Sequence, residues 1–308
     1  MTTHDVSSEW QVYPIHGSTL TVKASSGDVS IVGDSGDRVL VDQSHGPVRV
    51  KQIEGGLQVK AGSGQIRLRV PKGLDITVKA LSGDVDLRDT QGSLNCKALS
   101  GDVDCAGITG SAAIVAMSGT VKLTQSQLNM LRVEAYSGDI RAETILAAAG
   151  KARLETKSGD ILLRVPPSQG LDVQARLLSG DLTCELPYGD TRQDEEGHYV
   201  GQRVCLRTND GGAEVSMDTL SGDIRIEASE GEMPMPAASP RPTDKLSESP
   251  WDAPTEARQP FAIDDAFEPD LADYTEDDQD GERMAILEAI EKGEMDVGEA
   301  VERLRQLD

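Results

Sequence analysis

The sequence predicts an all-β protein: a single-stranded parallel β-helix, or β-solenoid, of about 10–11 short coils, followed by a disordered acidic linker and a C-terminal α-helical hairpin. Three observations predict it. A Ser-Gly-Asp tripeptide or near variant recurs nine times, apolar and polar residues alternate on both sides of each recurrence, and charge and proline content change abruptly near residue 230.

The motifs start at Ser26, Ser63, Ser82, Ser100, Ser118, Ser137, Ser158, Ser179 and Ser221, with spacings of 37, 19, 18, 18, 19, 21, 21 and 42 residues. A unit of 18 to 21 residues is one coil of a solenoid. The gaps of 37 and 42 are each close to two periods, so each is expected to hide one degenerate coil; Val39-Leu40-Val41 to Val48-Arg49-Val50 fits the first.

A strand alternates its side chains with a period of two. Six, four and two residues before the Ser stand such triplets as Leu20-Val22-Ala24, Ile76-Val78-Ala80, Leu94-Cys96-Ala98 and Leu131-Val133-Ala135. Three and five residues after it stand Val29-Ile31, Val85-Leu87, Val121-Leu123 and Ile224-Ile226. These are inward columns, so each coil holds two short strands flanking a Ser-Gly-Asp corner. Glycines eight or nine residues before the motif (Gly55, Gly73, Gly92, Gly110, Gly150, Gly170 and Gly212) mark a second corner, where positive φ is expected. Equivalent strands then stack in parallel, giving a flattened solenoid with two principal sheets. A right hand follows from the general preference of parallel crossovers.

End coils need caps. Residues 1–16, with Trp10 and Tyr13, are the candidate at one end; at the other, Leu186-Pro187 to Val200 breaks the rhythm with an excursion. Cys96, Cys105, Cys184 and Cys205 show no metal or redox spacing and read as small core residues.

Residues 230–308 carry 23 acids and 7 bases, against 30 acids and 23 bases in 1–229. Eight of the 14 prolines also fall after residue 229. Proline with charge and few branched apolar residues buries too little surface to offset chain entropy. The domains are therefore 1–229, the solenoid; 230–281, a disordered linker; and 282–308, a helical hairpin. In the hairpin Met284, Leu287 and Ile290 recur at helical spacing, Gly293 ends the first helix, and Asp296 with Glu299 caps the second, whose face is Val297, Ala300, Val301, Leu304 and Leu307. So short a pair buries too little to stand alone, so Leu287, Ile290, Val297, Val301 and Leu304 form a candidate docking or dimerisation face.

Units such as Val78-Lys79-Ala80-Leu81-Ser82-Gly83-Asp84-Val85-Asp86-Leu87 closely resemble the bacterial adhesin-type DUF4097 β-strand repeat, also called toastrack, over about residues 16–228. The resemblance implies an interaction protein of bacterial envelope-stress or signalling systems, in some cases tied to a membrane-associated regulator, and it carries no catalytic residue across. The helical hairpin resembles the short helical-pair segment of YvlB- and LiaX-type bacterial proteins through Ile286-Leu287, Ile290, Gly293, Glu299-Ala300 and Leu304.

Three columns are candidates to meet a partner or a ligand. Asp28, Asp84, Asp102, Asp139, Asp160, Asp181 and Asp223 line the first corner and are a candidate Ca²⁺ column, interrupted by Gln65 and Thr120. Asp in a turn more often bonds backbone, and turn chemistry is the stronger reading. Just before the Ser, Leu81, Leu99, Met117, Tyr136, Leu178 and Leu220 are bulky where alternation points outward. They either tuck against the corner, which is the stronger reading, or form an exposed partner-binding stripe, for which Leu81, Leu99, Met117 and Tyr136 are the candidates. Three before the Ser, Lys23, Lys60, Lys79 and Lys97 make a cationic ladder, the last three expected on successive coils; a solvated face is the stronger reading, and the alternative is a receptor for an acidic ligand, including residues 261–282, which hold ten acids and no base.

A net charge of −23 disfavours nucleic acid and anionic membrane surfaces. No stretch approaches the ~18 apolar residues of a spanning helix, and no leader pattern is evident, so the expectation is a cytoplasmic protein, peripheral at a membrane only through a partner. Regular coils, aromatics reduced to Trp10, Tyr13, Tyr136, Tyr188 and Tyr199 before residue 230, and scattered histidines (His4, His16, His45, His198) argue against a carbohydrate-active β-helix enzyme. The reading is a non-catalytic interaction or scaffold module with no cofactor and no metal, acting on a protein partner or on itself; an exported adhesin-like structural protein is the alternative.

Overall fold

The computed structural model describes residues 10–42, 48–193 and 201–229, and the linker and helical hairpin assigned to 230–281 and 282–308 lie outside them. Within the described residues the chain forms β1 (Trp10–Pro14), β2 (Thr19–Ser26), β3 (Val29–Asp34), β4 (Arg38–Asp42), β5 (Arg49–Ile53), β6 (Gly56–Ser63), β7 (Ile66–Pro71), β8 (Asp75–Ser82), β9 (Val85–Arg88), β10 (Gln91–Ser100) and β11 (Val103–Ala106). It continues through β12 (Thr109–Ser118), β13 (Val121–Ser137), β14 (Ile140–Ser158), β15 (Ile161–Val165), β16 (Leu171–Ser179), β17 (Leu182–Cys184), β18 (Tyr188–Gln193), β19 (Gln202–Thr208), β20 (Ala213–Ser221) and β21 (Ile224–Ala228).

Alternation places the side chains as the repeat predicts. Leu94, Cys96 and Ala98 of β10 pair in register with Ala112, Ile114 and Ala116 of β12, and all six are at most 3% exposed. After the corner, Val103 and Cys105 stack on Val121 and Leu123, all fully buried. The strands before the corners form one wall, those after them a second, and the inward columns of both make a single apolar core. Each coil contributes about five such side chains; since burying one is worth about 1.5–3 kcal/mol, the columns dominate the stability of the stack.

The corner depends on glycine. All nine corner glycines have positive φ, from 97° at Gly64 to 145° at Gly138. A Cβ on Gly101 would stand 2.3 Å from the carbonyl oxygen of Gly83, the corner glycine of the adjacent coil. The same contacts run Gly64, Gly27, Gly83, Gly101, Gly119, Gly138, Gly159, Gly222, Gly180, and this is the order of the coils in space. At the second corner Gly55, Gly73, Gly92 and Gly110 have positive φ as expected. Gly150, Gly170 and Gly212 lack it; at Gly170 and Gly212 glycine is needed because their backbones lie against each other, with a Cβ on Gly212 falling 2.6 Å from the Gly170 oxygen.

The spatial order departs from the sequence order at both ends. β2 lies between β6 and β8, and β3 between β7 and β9, so the first coil sits between the second and the third. Symmetrically, β20 lies between β14 and β16, and β21 between β15 and β17. Both outermost coils in sequence are therefore hydrogen-bonded on two sides, which protects them from fraying.

Among the described residues the two long gaps hold no further parallel coil. In the first, β4 runs antiparallel to β7 and β5 antiparallel to β6, while β1 adds antiparallel to β4. In the second, β19 runs antiparallel to β16 and to β18. Parallel coils number nine among the described residues, and antiparallel strands cover the end strands β6, β7 and β16, while β17 pairs with β21 alone. The expected cap at residues 1–16 is represented by β1, where Arg69 lies over the Trp10 ring at 5.2 Å. The excursion after Leu186 begins with β18.

Candidate interaction face

The Asp column is a strap between coils. The backbone N–H of Asp84 donates to Oδ1 of Asp28 (3.1 Å), that of Asp102 to Asp84 (2.9 Å), and that of Thr120 to Asp102 (2.7 Å). A second run joins Asp160 to Asp139 (3.1 Å), Asp223 to Asp160 (2.8 Å) and Asp181 to Asp223 (3.1 Å). Six of the seven carboxylates, all but that of Asp181, thus bond backbone, as turn chemistry requires, but on the next coil rather than their own. The Asp181 N–H, followed by the Arg225 guanidinium, holds the Asp223 carboxyl below the usual range. Among the described residues no group of three His, Cys, Asp or Glu side chains is placed to hold a metal ion.

Two of the four cysteines, Cys96 and Cys105, lie in the core as their spacing indicated. Cys96 and Cys105 are fully buried, and burial pushes the Cys96 thiol up to about 12. Cys205 is also buried, while Cys184, on the short edge strand β17, is half-buried.

The bulky column faces outward. Alternation continues unbroken to the corner: Ala98 is buried, Leu99 half-buried, Ser100 exposed. Leu81, Leu99, Met117 and Tyr136 fall on four successive coils, bracketed by the register pairs Ala80↔Ala98, Ala98↔Ala116 and Ala116↔Ala135. Leu81, Leu99 and Met117 are half-buried, whereas Tyr136 is 44% exposed and carries the Lys157 ammonium over its ring at 4.3 Å. Beyond Lys157 the column resumes with Leu220, half-buried, and Leu178, 45% exposed. The second candidate face, Leu287, Ile290, Val297, Val301 and Leu304, lies outside the described residues.

The Lys ladder is reordered by the end swap. Lys23 pairs in register with both Lys60 and Lys79, so the spatial run is Lys60, Lys23, Lys79, Lys97; Lys60 and Lys79 are not neighbours as the repeat order implied. Lys23 is 5% exposed and the other three half-buried. Register adds Arg49, opposite Lys60, and Lys51, opposite Gln58.

Followed past Val115, the same column changes sign to Glu134, Glu155 and Asp218, then Arg176. Sequence reasoning missed this reversal, and reading the position three before each Ser through all nine repeats would have found it. Here the charges are paired: Arg132 with Glu134, Arg153 with Glu155, Lys151 with Glu214, Arg176 with Asp218 at 3.6 Å, and Arg207 with Asp172. Glu155 and Asp218 lie side by side, and burial raises both carboxyls above their ordinary values against the pull of Arg153 and Arg176. The outer face of the first wall therefore has a cationic half on β5, β6, β2, β8 and β10 and an ion-paired half from β13 to β19. The apolar column runs along its edge beside the corner.

Stacked nine-coil geometry with Ser-Gly-Asp corners defines a β-solenoid repeat protein. The Toastrack DUF4097 family model matches residues 2–105 and 72–227, and the chain belongs to that family. Two solved structures are similar to it: a "putative adhesin" from Bacteroides fragilis, at 14% identity, covering 71% of this chain and 96% of that one with a TM-score of 0.45, and a "putative cell adhesion protein" from Clostridium sporogenes, at 12% identity, covering 72% and 99% with a TM-score of 0.31. No curated protein matches the chain. Among the described residues no helix is long and apolar enough to cross a membrane.

Proposed function

We propose that the protein is a non-catalytic protein-interaction module of a bacterial envelope-stress or signalling system, and that its partner surface is the stripe Leu81, Leu99, Met117 and Tyr136. The observation that carries this reading is the continuity of four large apolar side chains, on four successive coils, along the outside of a protein with a net charge of −23. Alternation would place small or polar residues there if only solvation mattered, as Ser25 and Gly62 do on the neighbouring coils. The strand hydrogen bonds and inward columns are complete without these side chains. The cellular setting rests on the family resemblance of the repeat.

Leu99→Asp tests it against Leu162→Asp, because Leu162 is an outward, half-buried leucine on the second wall. Both variants are expected to keep the parent melting temperature. Leu99→Asp should lose a partner that the parent chain and Leu162→Asp retain in native cells. Equal retention by both variants overturns the assignment of the stripe.

A further inference from the structure

We propose that the partner of the stripe presents an amphipathic α-helix of about three turns, laid along the stack axis, with apolar residues at i, i+3, i+7 and i+10 and carboxylates on the flank that meets Lys79 and Lys97. The inference rests on the stripe reading and adds to it the form and charge of the partner.

Spacing selects the form. Leu81, Leu99, Met117 and Tyr136 stand on four coils paired in register. Neighbours along the stripe are therefore one strand spacing apart, ~4.8 Å, and its ends ~14 Å apart. A helix rises about 1.5 Å per residue, so its residues at i+3, i+7 and i+10 stand about 4.5, 10.5 and 15 Å from the first. That keeps within ~1 Å of the stripe at every contact. An extended strand places alternate residues at intervals of ~6.7 Å and is more than a coil out of step by the fourth contact. It also meets no open sheet edge, because β8, β10, β12 and β13 are each hydrogen-bonded to a strand on either side.

The stripe ends where three turns end. On the far side of Leu81 the column continues with Ser25 and then Gly62, both too small to pack against a helix at that distance. Beyond Tyr136 stands Lys157, whose ammonium lies 4.3 Å from the ring centroid.

Charge selects the flank. Two residues before each member of the stripe, the parallel column reads Lys79, Lys97, Val115 and Glu134. Glu134 is 4% exposed and paired with Arg132, so the cations beside the stripe belong to the coils of Leu81 and Leu99. Across the corner on those same two coils stand Asp84 and Asp102, both exposed. A helix on this ridge gains from acids toward the lysines and is penalised for acids toward the corner. The two flanks thus fix which way round it lies.

A photo-crosslinking residue placed singly at 81, 99, 117 and 136 of the full chain, in cells that make it, tests the proposal once the residues it joins are mapped by peptide mass spectrometry. The expected result is four attachment sites in one segment of one other protein, each three or four residues from the next, in the order of the coils. Acids should flank the sites joined at 81 and 99. Lys79→Glu should lower the yield of these products several-fold, and Lys122→Glu, an equal change of charge at an exposed lysine of the second wall, should leave it unchanged. Sites two residues apart, sites in separate segments, sites on this chain itself, or an undiminished yield in Lys79→Glu overturn the proposal. If Leu99→Asp loses its partner while the sites run two residues apart, the helix falls and the stripe reading stands. If none of the four positions gives a product and Leu99→Asp keeps its partner, both fall.

Discussion

Oδ1 of Asp102 accepts the backbone N–H of Thr120 at 2.7 Å, across the gap between two coils. The third residue of the Ser-Gly-Asp motif is therefore a contact between repeats, and the motif recurs because each coil holds its neighbour as well as turning its own chain. Asp102→Ala leaves that N–H to water, since the corner is exposed. The expected loss is about 0.5–1.5 kcal/mol of stability, with Asp102→Asn recovering most of it. Urea unfolding checks this, and equal destabilisation by Ala and Asn would remove the strap.

The preceding residue should be far less tolerant. Gly101→Ala puts a Cβ 2.3 Å from the Gly83 carbonyl oxygen at a φ of 114°. Backbone strain alone is of order 1–3 kcal/mol, and the clash with fixed backbone adds to it. Gly36→Ala, where nothing lies within 4 Å, is the matched control and should be near neutral in thermal melts.

Stability should depend on pH with two opposing signs. Asp223 has a lowered folded pKa, so its contribution is present above the ordinary carboxylate range and is lost as pH falls through the folded value. Glu155 and Asp218 are raised by burial; the native state then binds more protons than the unfolded one, and stability increases as pH falls from neutral toward the ordinary carboxylate range. Asp218→Asn should remove much of that mild-acid gain, and Asp223→Asn should instead flatten the loss at lower pH. Melting temperatures between pH 7 and pH 3 separate the two, and an unchanged mild-acid gain in Asp218→Asn would reject the buried pair as its source.

The coil was legible from residues because a strand exposes its period directly: Leu94-Cys96-Ala98 and Val103-Cys105 are inward for the same reason wherever the coil sits. The order of the coils was not. Lys23 has the same phase whether it neighbours Lys60 alone or both Lys60 and Lys79, and phase is all that a repeat encodes. Only the gaps of 37 and 42 residues marked the two places where the chain leaves the period, and their content, such as Val39-Leu40-Val41, alternates equally well in a parallel or an antiparallel strand. In the candidate face, the outward direction of Leu99 followed from Ala98 and Ser100. The opposition between the Lys60–Lys97 half and the Glu134–Asp218 half was equally legible at the position three before each Ser and went unread; only its spatial order, with Asp218 between Glu155 and Arg176, needed the register across coils.

The most direct test of the stripe as a partner surface is a photo-crosslinking residue placed singly at Leu99, at Met117 and, on the other wall, at Leu162, in cells that make the protein. The account predicts one and the same protein joined at positions 99 and 117 and absent at 162. The same product from all three positions, or none from 99 and 117, would contradict it.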